Sequence, residues 1–183
     1  MREHGLAKTT SRLIATTAGA NLGAITYYFA SKDDLLAEAL FGELAARLTP
    51  VMENLQDSDQ PATTRLVSAV QALIAEFERS AEEVPVYLNA LMLSTEPGPL
   101  AERAHTMLTQ LRAKLAEVIS ELKGEGVIAA WVEPDAMASL LIATGNGIAL
   151  QSQLDPEGAT VSVLAGQLAG LLLAASPGPD HSQ

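Results

Sequence analysis

Leu36, Leu40, Leu44 and Leu48 recur at every fourth position, and Leu66, Val70, Leu73, Ile74 and Phe77 mark a second stripe of the same kind. This spacing lines one face of a helix and cannot serve a strand, whose faces alternate every second residue. Val, Ile and Thr nowhere build an alternating run, so the chain is predicted to be all-α. Breaks are expected at Pro50, at DSDQP (57–61), Val84-Pro85, EPGP (96–99), Gly124 to Gly126, Glu133-Pro134 and DPEG (155–158). The helices expected between them cover 33–49, 62–82, 86–94, 99–124, 135–153 and 159–175. The closing SPGPDHSQ cannot continue a helix and reads as a loose tail over 177–183.

With 183 residues, 48% of them hydrophobic, the chain can bury a sizeable core. It has no cysteine, which excludes disulfides and thiolate chemistry and fits a reducing cytoplasm. The N-terminal MREHGLAKTT lacks the apolar core of a signal peptide. The most apolar segment, VSVLAGQLAGLLLAA (161–175), is interrupted by Ser162 and Gln167. It falls short of the roughly 20 residues that span a membrane. The expectation is a cytoplasmic protein with no membrane partner.

Charge is unevenly shared. Residues 1–32 hold Arg2, Lys8, Arg12 and Lys32 against Glu3, a net of +3, whereas the remaining seven basic and 21 acidic residues sum to −14. An acidic body with one basic end suits a molecule that meets phosphate through that end alone. Taken by itself, a three-charge excess over so short a segment could equally be chance.

That basic end is built from short helices. Thr9 is the expected N-cap of a helix over 10–17, with Leu13 and Ile14 facing inward and Ala15 allowing a close helix approach. In Ala18-Gly19-Ala20, Gly19 suits the left-handed conformation that ends a helix. Asn21 then starts a second helix that runs to about Tyr28, and Ser31 with Asp34 caps a third ahead of Leu35 and Leu36. Ile25 and Phe29, four apart, anchor the middle helix. Its other face carries Leu22, Gly23, Ala24 and Thr26, slender enough to approach base edges, while Tyr27 and Tyr28 offer hydroxyls to phosphates. Gly23 costs roughly 1 kcal/mol of helix propensity, which packing alone does not explain. Thr10 and Arg12, at the start of the first helix, are placed to clamp a phosphate.

The run TTSRLIATTAGANLGAITYYFASKDDLL (9–36) resembles the DNA-binding segment of the TetR family of bacterial transcriptional regulators. The likeness lies in the threonine cap, Ile-Ala, the Ala-Gly turn, the glycine of the recognition helix, Tyr-Phe, and Ser-Lys ahead of a long helix, and it extends back to Gly5. It implies a helix-turn-helix over Ala15 to Tyr28, with Asn21 to Tyr28 in the major groove of a double-stranded DNA operator. It further implies phosphate contacts from Thr10, Arg12, Tyr27, Tyr28 and Lys32, with Leu22, Gly23, Ala24 and Thr26 nearest the bases and Asn21 also among the DNA-binding residues. Two departures stand out. Many members have tyrosine where this chain has Thr26, and members carry a longer first helix, of which REHG reads as the last turn.

The resemblance divides the chain into a DNA-binding domain, 1–48, and a helical ligand-binding and dimerisation domain, 49–176. Helices 135–153 and 159–175 would pair with their copies in a homodimer through Leu140, Ile148, Val161, Leu164, Leu168, Leu171 and Leu172. The other reading of the apolar last helix is a core helix in a monomer. A small-molecule inducer would be enclosed by Phe77, Tyr87, Leu91, Met92, Met107, Leu111 and Trp131, with Asn89, His105 and Arg112 as polar handles. Each could equally be an ordinary core or surface residue. His4, His105 and His181 show no metal-ligand spacing, no cofactor signature is present, and no nucleophile elbow or phosphate loop suggests an enzyme. The expected function is a ligand-responsive repressor that binds a palindromic operator as a dimer. The alternative is a dimeric small-molecule-binding protein without DNA-binding activity because its first helix is incomplete.

Overall fold

The computed structural model describes residues 9–174. All regular structure among them is helical: α1 (Ser11–Thr17), α2 (Leu22–Tyr28), α3 (Lys32–Gln56), α4 (Ala62–Arg79), a 3-10 turn (Ala81–Glu83), α5 (Val84–Leu93), α6 (Pro99–Gly124), α7 (Pro134–Leu154) and α8 (Val161–Ala174). The REHG turn, His4, His181, the 177–183 tail and the Leu172 side chain lie outside the described residues.

Several expected breaks turn out to be helix starts. Pro99 and Pro134 open α6 and α7, and Pro85 sits in the first turn of α5. There the missing N–H of proline costs nothing, because the first turn has no intrahelical acceptor for it. Pro50 is the correction. The helix expected to stop at residue 49 continues through Pro50 to Gln56. An internal proline removes a hydrogen bond and costs about 3 kcal/mol. On the far side of Pro50, Val51 and Leu55 are buried in a core cluster, so ending the helix there would expose both. Asn54 also donates its side-chain amide to the Pro50 carbonyl at 2.7 Å. Conversely α4 stops at Arg79, short of the expected residue 82, where the Ser80 N–H donates to the Glu76 carbonyl at 2.9 Å and the Ser80 hydroxyl bonds the Glu76 carboxylate.

The described residues divide into two compact units, one formed by 9–47 with Glu82–Leu108, the other by Leu48–Ala81 with 109–174. In the first, Leu36, Phe41, Ala90 and Ala104 form a buried cluster, with Ile14, Leu40, Leu44, Leu91, Leu100 and Met107 packed around it. Arg103 of α6 pairs with Glu38 of α3, and Arg47 pairs with Glu43 at 3.0 Å and with Glu83. α1 is therefore held on a platform of α3, α5 and α6.

In the second unit Leu55, Val118, Leu122 and Val132 are the most deeply buried large side chains, each contributing about 1.5–3 kcal/mol of apolar burial. Val51, Ala69, Ile119, Ile128 and Ala138 join them, and α8 packs against α4 and α7. Arg65, only 6% exposed, donates Nη1 to the Leu55 carbonyl at 3.3 Å and pairs with Glu121. Lys123 Nζ donates to the Val132 carbonyl at 2.8 Å, tying the end of α6 to the connection that leads into α7.

Candidate nucleic-acid interface

α1 begins at Thr10, in extended conformation, whose Oγ1 accepts the Leu13 N–H at 3.2 Å. The expected cap was Thr9. That residue is instead 2% exposed, and the helix starts one position later, where Thr10 sets its hydroxyl against the N–H three residues on. The turn after α1 is closed by two crossed bonds, Ala20 N–H to the Ala15 carbonyl at 2.9 Å and Gly19 N–H to the Thr16 carbonyl at 3.2 Å. The pattern requires a left-handed residue between them, and Gly19 supplies it with φ of 61°.

Asn21 restarts the chain, its Oδ1 accepting the Gly23 N–H at 2.9 Å. After α2, the Phe29 N–H closes on the Ile25 carbonyl. Ser31 Oγ accepts the Asp34 N–H at 3.0 Å while Asp34 Oδ2 accepts the Ala30 N–H at 3.3 Å, so α3 begins with no spare residue. Ala15 and Ile25 are buried and Phe29 is half-buried, which fixes the inner face of α1 and α2. The two helices pack on one another.

The expected DNA-facing residues lie outside that core. Thr10, Arg12, Asn21, Leu22, Gly23, Thr26, Tyr27 and Tyr28 are exposed, whereas Ala24 and Lys32 are half-buried. Tyr27 and Tyr28 are 81% and 74% exposed, their rings edge to face with centroids 4.9 Å apart. Lys32 Nζ lies 3.6 Å from Asp33, so part of its charge is answered within the chain. The Asn21 amide oxygen is used as the expected cap, whereas the donation of the Thr26 hydroxyl to the Gly23 carbonyl at 3.0 Å was not legible in the sequence.

The ten expected ligand contacts do not share one environment. Tyr87, Asn89, Leu91, Met92, His105 and Met107 belong to the first unit and Phe77, Leu111, Arg112 and Trp131 to the second. Tyr87 is half-buried, and burial pushes its phenol up to about 12. Met107 packs on the Leu36 and Phe41 cluster and Phe77 is half-buried. Met92, Asn89, His105, Arg112 and Trp131 are exposed, Met92 at 70% and Trp131 at 69%, so these do not serve as enclosed lining in the single chain. A cavity of about 230 Å³ in the first unit is lined by other residues, Lys32, Asp33, Leu36, Leu40, Leu93 and the 96–100 turn. Sequence spacing carried no signal for it.

On α7 and α8, Leu140 and Leu171 are 56% and 69% exposed, while Ile148, Val161, Leu164 and Leu168 are half-buried. Leu150, Leu154 and Val163 add further exposed apolar surface on the same two helices. No helix among the described residues is long and apolar enough to cross a membrane.

Two short helices joined by a glycine turn, the second presenting an exposed outer face on a basic segment, define a helix-turn-helix regulator of transcription. Residues 1–39 match the model of bacterial regulatory proteins of the tetR family, and residues 62–174 match that of the C-terminal region of BetI-type transcriptional repressors. The chain belongs to the TetR family. It is 23% identical over 154 residues, covering 84% of this chain and 73% of the relative, to the HTH-type transcriptional regulator PksA of Bacillus subtilis (strain 168). Its fold is similar to that of a putative transcriptional regulator from Pseudomonas aeruginosa PAO1, with a TM-score of 0.78, 23% identity, and 95% and 85% of the two chains covered. It is also similar to SmeT in complex with triclosan, with a TM-score of 0.71, 19% identity, and 98% and 87% covered. At these identities the solved structures speak to the fold alone.

Proposed function

We propose that this regulator is a cytoplasmic repressor that binds a palindromic operator as a homodimer and is released by a small-molecule inducer. Residues 1–48 read DNA and residues 49–176 bind the inducer and the second subunit. The observation that carries this reading is the outer face of α2, where Leu22, Gly23, Thr26, Tyr27 and Tyr28 stand exposed while Ile25 alone is buried beneath them. A helix held by Ile25, with Ala24 half-buried beside it, and exposing its other residues is shaped to enter a groove.

Tyr27, Tyr28, Thr10, Arg12 and Lys32 contact phosphates flanking that groove, which makes affinity fall with added salt. Dimerisation uses the apolar surface of α7 and α8, where exposed Leu140 and Leu171 favour covering by a second copy over solvent. Two subunits related by a two-fold axis read two inverted half-sites. The inducer is a small apolar molecule, a class to which the triclosan in the SmeT complex belongs, and in the first unit Tyr87 and Met107 are the half-buried side chains placed to meet it.

Fluorescence anisotropy on DNA from upstream of the protein's own gene tests the reading. Binding should be saturable, weaken steeply between low and moderate salt, and be reversed by an apolar ligand. A full chain that retains no duplex from a randomised pool at any salt concentration would refute it.

A further inference from the structure

α2 has an unusual chemical inventory for a helix that reads bases, and the regulator reading above is the ground on which the following step rests. Guanine presents two acceptors in the major groove and is read by paired donors from arginine or lysine. The α2 sequence, LGAITYY, contains neither, and the Ala18-Gly19-Ala20-Asn21 turn before it adds one amide.

That amide is half spent. Adenine is read by an amide that donates and accepts at once, but Asn21 Oδ1 already accepts the Gly23 N–H at 2.9 Å. The Thr26 hydroxyl proton goes to the Gly23 carbonyl at 3.0 Å, so Thr26 has no donor left for guanine. What α2 holds out from its first turn, the turn that enters the groove, is Leu22, an aliphatic side chain that stays 38% exposed and belongs to neither buried core cluster. Beside it Gly23 has no side chain, and a Cβ there would meet nothing in the chain closer than Asn21 Oδ1 at 3.4 Å. The backbone of α2 is thus free to lie close to base edges, and the feature an aliphatic side chain recognises there is the 5-methyl group of thymine.

We infer that this protein selects its operator through thymine methyl groups, with Leu22 as the discriminating side chain and no paired hydrogen bonds to guanine. An operator half-site then has a thymine at the position facing the first turn of α2, and its guanines are tolerated, not read.

The test starts from a duplex enriched by the full chain out of a random pool. Each thymine of one half-site is replaced in turn by uracil, each guanine by 7-deazaguanine, and affinity is measured at fixed salt. One uracil position should weaken binding roughly fourfold, equivalent to about 0.8 kcal/mol for one buried methyl group, and the 7-deazaguanine duplexes should bind unchanged. Leu22→Ala should erase the thymine-to-uracil difference at that position while keeping the salt dependence, since phosphate contacts are untouched. Equal affinity for every uracil duplex, a loss on 7-deazaguanine duplexes, or a Leu22→Ala protein that still distinguishes thymine from uracil overturns the inference and leaves sequence-specific binding standing. A pool that enriches no duplex refutes the regulator reading itself, and this inference with it.

Discussion

The side-chain oxygen of Asn21 accepts the backbone N–H of Gly23 at 2.9 Å, and the Gly23 carbonyl in turn accepts the Thr26 hydroxyl at 3.0 Å. One glycine is thereby bonded at both its peptide groups by the two polar side chains that flank the reading face. The arrangement starts α2, stiffens its first turn and turns the Asn21 oxygen and the Thr26 hydroxyl proton towards the helix backbone.

Gly19 and Gly23 should respond oppositely to alanine. At Gly19, φ of 61° strains any side chain even though no atom lies within 4 Å of the added Cβ. Gly19→Ala should therefore lower the stability of the helix-turn-helix by about 1 kcal/mol. Gly23→Ala removes a propensity cost of about 1 kcal/mol and should raise stability in urea unfolding. On DNA it should weaken binding by roughly tenfold, because a methyl group then stands between backbone and bases. Stability and affinity moving together at Gly23 would mean its absent side chain serves the fold alone.

Arg65 is the buried charge whose removal should cost most. Its guanidinium reaches the Leu55 carbonyl and Glu121 from inside the core, and its buried Nε has no hydrogen-bond partner among the described residues. Glu121 is 49% exposed and can be rehydrated when the arginine is lost. Arg65→Ala should cost about 2–3 kcal/mol, less than the full penalty for breaking a wholly buried pair. Arg65→Met, which keeps the apolar stem, should recover part of that in chemical denaturation.

Tyr87 gives stability a dependence on alkaline pH. Burial raises its phenol from 10.0 to about 12, so between those values the folded state holds a proton that the unfolded state has released. Its contribution is complete below pH 10 and is lost as the pH rises towards 12, with a slope of about 1.4 kcal/mol per pH unit. Urea unfolding of Tyr87→Phe across this range should show a shallower loss than the parent protein. Parallel curves would show that Tyr87 ionises alike in both states.

The exposed leucines of α7 and α8 should separate folding from assembly. Leu140 and Leu171 are 56% and 69% exposed in the single chain, so an acidic residue at either costs the subunit little, within about 0.5 kcal/mol. Leu140→Asp with Leu171→Asp should shift the sedimentation of a dimer to that of a monomer and take operator affinity down with it. Helix content by circular dichroism should hold. An unchanged sedimentation coefficient would place the subunit contact elsewhere.

Local chemistry decided much of this molecule from the sequence alone. The every-fourth leucines, Gly19 at the turn, Asn21 and Ser31 as caps, and Ile25 as the inner residue of α2 are legible because each acts within about one helical turn of itself. The same range explains why the reading segment resembled its family before any helix was placed. Tertiary structure decided what depends on residues distant in the chain. Pro50 sits inside α3 because Val51 and Leu55 gain more from a core contributed by α4 and α6 than the proline loses locally. Thr10 displaced Thr9 as a cap once Thr9 was buried. Arg65 is buried because Leu55 and Glu121 approach it from other helices, and residues 82–108 join the first unit because Ala90 and Ala104 pack with Phe41. The exposure of Leu22, Met92 and Trp131 belongs to the same class, since apolar character marks a residue as able to be buried while only the packed neighbours determine whether it is.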